Sequence, residues 1–245
     1  MRRIKLTIAY DGTDYCGWQK QDGAVTVAET VEHAIRKLTG EETELIGASR
    51  TDSGVHAMGN VAVFDTESPI PADRFVPALN SFLPDDIRIM EAEEVPETFH
   101  PRFDAHRKRY EYRILVGDVC PPMRFRYVHH LRELPDVAAM REAATYLVGT
   151  HDFTSFCAAG AQVKTKVRTV TDITVTADAG EIIIAVEGDG FLYNMIRIIA
   201  GTLLQAGQGR IAPADVEGIL SGMDRSLAGP TLPAKGLGLC KIWYS

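Results

Sequence analysis

The chain has 245 residues, enough to bury one large core or two modest ones, and its composition is that of an ordinary globular protein without low-complexity tracts. No apolar run reaches membrane-spanning length, because the longest candidate, residues 191–206, contains Asn194 and Arg197. The net charge of -7 argues, taken alone, against a nucleic-acid partner.

The first strand is expected over residues 3–10, where Ile4, Leu6 and Ile8 alternate onto one face. A polar, aromatic loop follows, residues 11–19. Thr26-Val27-Ala28-Glu29 reads as a capping box opening a helix with Val27, Val31, Ala34, Ile35 and Leu38 on its buried side, closed by Gly40. Residues 44–48 and 58–64 read as strands flanking the loop 49–56. A second helix is expected over 71–82, with Phe75, Leu79 and Phe82 inward and a kink or late start at Pro77. A strand over 87–92 completes β-α-β-β-α-β, the order of a ferredoxin-like unit.

Residues 99–105 read as a crossing between halves, with domains of 1–104 and 105–245. In the second half a strand is expected over 108–115 and a helix over 134–148. Strands 167–176 and 182–186 form a hairpin around 178–180. An apolar helix over 191–205 has Leu192, Met195, Ile196, Ile199 and Leu203 as its stripe. A short helix over 213–220 and a strand over 237–244 end the chain. The second half repeats the element order of the first only loosely, and no sequence repeat accompanies it.

The most informative stretch is Ser49-Arg50-Thr51-Asp52-Ser53-Gly54-Val55-His56. Asp, Ser, Gly and Arg between two strands belong at a sheet's end, where polar side chains converge on a ligand. The same residues also make an ordinary surface turn. An aspartate with the usual pKa of about 3.9 is ionised near pH 7 and can act as nucleophile or base. Arg50 beside it suits a phosphate contact, whereas His56 is equally a structural histidine. Tyr110 is a strand tyrosine fit either for packing or for stacking, and Tyr112 shares its face. Arg197 lies in an apolar helix and is fit either for a carboxylate partner or for reaching its head to solvent, with Tyr193 and Asn194 on the same helical side.

Basic residues cluster despite the acidic total. Arg102, Arg107, Lys108, Arg109 and Arg113 form one stretch, extended by Arg124, Arg126 and Arg132, and Lys164, Lys166 and Arg168 form another. Acids gather at Glu91, Glu93, Glu94 and Glu97, so a basic cleft on an acidic body is expected. Cys16, Cys120, Cys157 and Cys240 lack zinc or redox spacing and read as buried free thiols. His129-His130 has no acidic or cysteine companion at ligand spacing, and no glycine-rich phosphate loop appears, so neither metal nor cofactor is implied. The start of the chain meets Asp11 too soon for a signal peptide, which points to a cytoplasmic protein.

Arg50-Thr51-Asp52-Ser53-Gly54-Val55-His56 closely resembles the signature of the tRNA pseudouridine synthase A family, where alanine is usual at the place of Ser53 and glycine at that of Ser49. Further segments resemble that family in order: Tyr10-Asp11-Gly12-Thr13 with Gly17-Trp18-Gln19, Lys108-Arg109-Tyr110, His151-Asp152-Phe153, the run Phe191 to Arg197, and Gly236-Leu237-Gly238-Leu239. The resemblance implies an α+β pseudouridine synthase fold, two ferredoxin-like halves with joined antiparallel sheets and a central cleft. It implies a homodimer acting on uridines 38 to 40 of tRNA. By the same resemblance Asp52 is the catalytic carboxylate, Tyr110 stacks on the target base, Arg197 pairs with Asp52, and Leu237 lends an apolar side chain to the pocket. Two rivals stand beside it. An aspartic-type hydrolase would need Asp52 of two chains to share a proton, and an RNA-binding module would leave uridines unchanged.

Overall fold

The computed structural model describes residues 1–161 and 163–244, and the chain divides into two units, Met1–His106 with Leu239–Ser245, and Arg107–Gly238. In the first unit β1 (Arg2–Tyr10) runs antiparallel between β3 (His56–Thr66) and β4 (Ile87–Val95), and the two-residue β2 (Ile46–Gly47) pairs with the other side of β3. With α1 (Val27–Thr39) and α2 (Phe75–Asn80) the spatial order is that of a ferredoxin-like unit. Ile4, Leu6 and Ile8 are fully buried, as the alternation demands. Full burial of side chains such as Val31 and Ile35 of α1 stabilises by about 1.5–3 kcal/mol each. The last strand, β10 (Leu237–Tyr244), brings residues 239–244 beside β3.

The expected capping box is not formed. Thr26 has extended backbone angles suited to a cap, but its hydroxyl is buried and has no hydrogen-bond partner among the described residues. The first amides of α1 are satisfied otherwise: Val27 N–H donates to the Gly17 carbonyl at 3.1 Å and Ala28 N–H to the Trp18 carbonyl at 3.0 Å. Gly40 closes the helix as expected, its N–H on the Arg36 carbonyl. Leu38 stays partly exposed. Pro77 tolerates its place because α2 starts late, two residues before it, so the missing amide costs no helical bond. The helix ends at Asn80, which leaves Phe82 in a turn and 44% exposed rather than inward.

In the second unit β5 (Ala105–Val116) pairs antiparallel with β9 (Glu181–Gly188), β9 with β8 (Val167–Asp178), and β8 with β7 (Gly149–Asp152), while β6 (His129–Leu131) lies parallel to β5. The helices are α3 (Val137–Thr145), α4 (Met195–Gly207) and α5 (Asp215–Ser221). Setting aside the short β6 and β7, the order β5-α3-β8-β9-α4 repeats β1-α1-β2-β3-α2, and the lateral order β5-β9-β8 repeats β1-β3-β2. Helix α3 begins later than expected, at the Asp136 carboxylate, which accepts from the amides of Ala138 and Ala139; Leu134 is left exposed. Helix α4 is buried nearly all round, as Ile198, Ala200 and Leu204 join the expected stripe. Tyr193 and Asn194 precede it rather than sharing a helical face with Arg197, because Asn194 adopts φ 60°. Of the cysteines only Cys157 is buried, where desolvation raises its thiol pKa.

The basic stretch on β5 is largely spent inside the unit. Alternation turns Arg109, Glu111 and Arg113 to the face opposite Tyr110 and Tyr112, and register sets Arg109 across from Glu187. Arg109 then pairs with Glu111 and Glu187, Arg113 with Glu111 and Glu181, Arg124 with Glu181, and Arg107 with Glu187, at 2.6–3.3 Å. The glutamates that neutralise this stretch come largely from β9, beyond reach of any local reading.

Candidate active site

In the first unit Asp52 sits half-buried on the loop between β2 and β3, with main-chain groups on both sides of it held. Buried Asn60 of β3 donates from Nδ2 to the Ser49 carbonyl at 3.0 Å and to the Tyr10 hydroxyl oxygen at 3.3 Å. The Tyr10 and Thr51 hydroxyls share a hydrogen bond of 2.7 Å that either can donate. The polar, aromatic loop of residues 11–19, which carries the family-like amino-terminal motif, is the other half of the scaffold. Trp18 N–H donates to the Thr51 carbonyl at 3.1 Å, and the Gly54 N–H and Ser53 hydroxyl both donate to the Tyr15 carbonyl at 3.2 Å.

Two glycines make this close approach possible. Gly17 has φ +84°, and a Cβ there would lie 2.6 Å from the Thr51 carbonyl oxygen. A Cβ on Gly12 would run into the Val55 carbonyl, again backbone. Thus the amino-terminal motif and the aspartate motif are one object, two loops stitched through main-chain groups. His56 serves the same assembly: Nδ1 lies 3.1 Å from both Gly12 N and Asp11 Oδ1. One ring nitrogen accepts from the amide or, when protonated, donates to the carboxylate, but not both at once. The neighbouring Tyr15 donates to Asp86 at 2.7 Å, and burial with that bond raises its pKa. Arg50 differs from all these in projecting to solvent.

The second unit carries the other expected residues. Tyr110 is 7% exposed and meets the Phe191 ring edge-on, centroids 5.4 Å apart. Tyr112 is fully buried and donates to the Pro233 carbonyl at 2.8 Å, its pKa raised by burial. Arg197 donates from Nε to the Leu232 carbonyl at 2.6 Å and from Nη1 to Asn194 Oδ1 at 2.7 Å. Both of these bonds end on neutral oxygens. Leu237 is buried at the start of β10.

The His151-Asp152-Phe153 segment has a structural account. Asp152 accepts from the amide and hydroxyl of Thr154, starting a short 3-10 turn that drives Phe153 and Phe156 into the core. Buried Ser155 donates to the Ile219 carbonyl at 2.6 Å and accepts from the Asp224 amide. Sequence reasoning placed Tyr10 and Trp18 only within the family-like amino-terminal motif, with no role for either, and did not single out Asn60 or Tyr15. The available signal was Asn60, a polar residue in the middle of an apolar strand. Among the described residues, no three of His, Cys, Asp and Glu gather at metal-ligating distance, and no helix is long and apolar enough to cross a membrane.

The family profile described as tRNA pseudouridine synthase matches residues 6–104 and 143–245. Tyr110 lies outside those residues, whereas Asp52, Arg197 and Leu237 lie within them. Proteins named tRNA pseudouridine synthase A from Clostridium acetobutylicum and Acetivibrio thermocellus are each 48% identical over 244 residues, covering 100% of both chains. A tRNA pseudouridine synthase A 2 from Clostridium perfringens is 49% identical with the same coverage. The chain belongs to the tRNA pseudouridine synthase family.

Proposed function

We infer that this chain is an isomerase that converts uridine to pseudouridine in tRNA, acting on the anticodon stem-loop at positions 38 to 40. The reaction breaks the bond between uracil N1 and the ribose C1′, turns the base over, joins C5 to C1′ and finally loses the C5 proton while N1, freed from the sugar, gains one. Atoms balance without redox change or added group, so no cofactor is required. Asp52 supplies the carboxylate, attacking the substrate covalently or accepting a sugar proton. The observation that carries this assignment is the fixed loop: an otherwise ordinary turn is locked through Thr51, Ser53 and Gly54 to Tyr10, Tyr15 and Trp18, leaving Asp52 half-buried in their midst. A preorganised carboxylate spends little energy on orientation during the reaction.

Tyr110 stacks on the extruded base, Arg197 positions the carboxylate chemistry, Leu237 supplies an apolar wall and Arg50 meets a phosphate. The protein works in the cytoplasm as a homodimer. Full-length likeness to named relatives supports the activity, and the burial of Tyr110 against Phe191 and the fixed bonds of Arg197 suit positioning roles.

The test is incubation of purified protein with unmodified tRNA, mapping pseudouridine by position. Asp52→Asn should abolish product while tRNA affinity and melting temperature stay near wild type, because binding is spread over many phosphate contacts. Substantial residual isomerisation would remove Asp52 from the reaction. Sedimentation at working concentration decides the dimer.

A further inference from the structure

The loop 118–128 of the second unit is unlike the rest of the surface. Four of its side chains face solvent: Val119 is 76% exposed, Met123 85%, Phe125 57% and Tyr127 43%. Isolated exposed apolar residues need no explanation, but four on one short loop do. The loop is not loose. Gly117 N–H donates to the Leu131 carbonyl at 2.9 Å and His130 Nε2 lies 2.7 Å from the Gly117 carbonyl, closing its base. Successive turns bond Arg124 to Pro121, Phe125 to Pro122 and Tyr127 to Arg124, and Arg124 is moored to Glu181 at 2.9 Å. Compact loops with joined ends commonly carry function.

Lys235 lies over the Phe125 ring, its Nζ 3.6 Å from the centroid. Lys235 belongs to the 3-10 turn Ala234–Gly236 that leads directly into Leu237, and the Tyr112 hydroxyl ties Pro233 of that segment to β5, two residues from Tyr110. The ring therefore has an ammonium on one face and stands at the edge of the segment that carries Leu237 and is tied to the strand of Tyr110. Arg126 adds a second exposed cation to the loop. An exposed aromatic face with cations beside it matches the chemistry of single-stranded nucleic acid, a flat base and a phosphate.

We propose that Phe125 and Lys235 form a contact for a tRNA nucleotide other than the target uridine, the base stacking on the exposed Phe125 ring and a phosphate meeting Lys235. This rests on the tRNA-modifying function inferred above. The pair acts in docking and touches no reacting atom.

The experiment is a set of tRNA binding isotherms over a salt series with single-turnover pseudouridine formation alongside, for wild type, Phe125→Ala, Phe125→Leu, Phe125→Tyr and Lys235→Ala. Phe125→Ala and Phe125→Leu should each weaken affinity about tenfold, with Phe125→Tyr restoring it, since only an aromatic stacks. The rate at saturating enzyme should stay within about twofold of wild type. Lys235→Ala should make the log–log salt slope shallower by about 0.7, the value for one phosphate on a single strand. Wild-type affinity in Phe125→Leu, or an unchanged slope in Lys235→Ala, would overturn the contact. A wild-type protein that makes no pseudouridine would overturn the function instead, and the isotherms would still decide whether this surface binds RNA.

Discussion

Tyr112 and Arg197 donate to adjacent carbonyls, the tyrosine hydroxyl to Pro233 at 2.8 Å and the guanidinium Nε to Leu232 at 2.6 Å. A strand and a helix far apart in the chain thus clamp one short segment, and that segment leads into Leu237. Tyr112→Phe keeps the buried ring but strands the Pro233 carbonyl. It should cost about 1–2 kcal/mol in urea unfolding and lower turnover through misplacement of 232–237. Arg197→Lys keeps the charge but loses the planar fork that serves Leu232 and Asn194 together, and its turnover should fall more than its stability. Equal losses in both quantities would reduce Arg197 to a structural role.

Gly17→Ala tests the stitching of the two loops. The substitution places a Cβ 2.6 Å from the Thr51 carbonyl oxygen at a residue with φ +84°, and neither neighbour is a flexible side chain. Backbone must shift at the aspartate loop. Strain at such angles alone costs on the order of 1 kcal/mol. Activity should fall by more than tenfold with a modest drop in melting temperature. Unchanged activity would show that the loop tolerates displacement.

Tyr110 separates stacking from proton transfer. Extruding the target base costs on the order of a few kcal/mol, and an aromatic face returns about 1–3 kcal/mol. Tyr110→Phe keeps the ring and its edge-on contact with Phe191, whereas Tyr110→Ala loses both. If the hydroxyl helps remove the C5 proton, Tyr110→Phe should form the new carbon–carbon bond and release tritium from C5-labelled tRNA slowly. Tyr110→Ala should lose most activity. Wild-type tritium release from Tyr110→Ala would place the residue outside the reaction.

The Arg3–Asp65 pair carries a pH signature. Arg3 donates to both oxygens of Asp65, at 2.8 and 2.7 Å, and those bonds with its charge hold the carboxyl below the usual carboxylate range. A carboxylate depressed in the folded state contributes stability above its unfolded pKa, about 3.9, and loses it as pH falls through the lower folded value. Asp65→Asn should therefore cost about 1 kcal/mol at neutral pH, and the two stability curves should converge as pH falls below about 4. Parallel curves across the acid limb would mean that the pair does not titrate.

Residue types and local spacing alone made much of this protein legible. Alternation in β1 and β5, the hairpin at Ala179-Gly180, and the run Arg50 to His56 are readable because they depend on neighbours within a few positions. The tertiary structure decided the rest, each time because the deciding partner lies far along the chain. Thr26 has the right residue type and backbone for a cap, yet the Gly17 and Trp18 carbonyls reach the first amides of α1 and its hydroxyl is left buried. The arginines of β5 read as a surface for phosphates until strand register sets Glu187 opposite Arg109 and brings Glu181 within reach of Arg113 and Arg124. The motif Gly17-Trp18-Gln19 is legible as a family-like segment, but only the bond from its backbone to the Thr51 carbonyl shows that it holds the aspartate loop. Local chemistry determines which groups a segment can offer, and only the fold's long-range pairing decides which of them remain to act on a substrate.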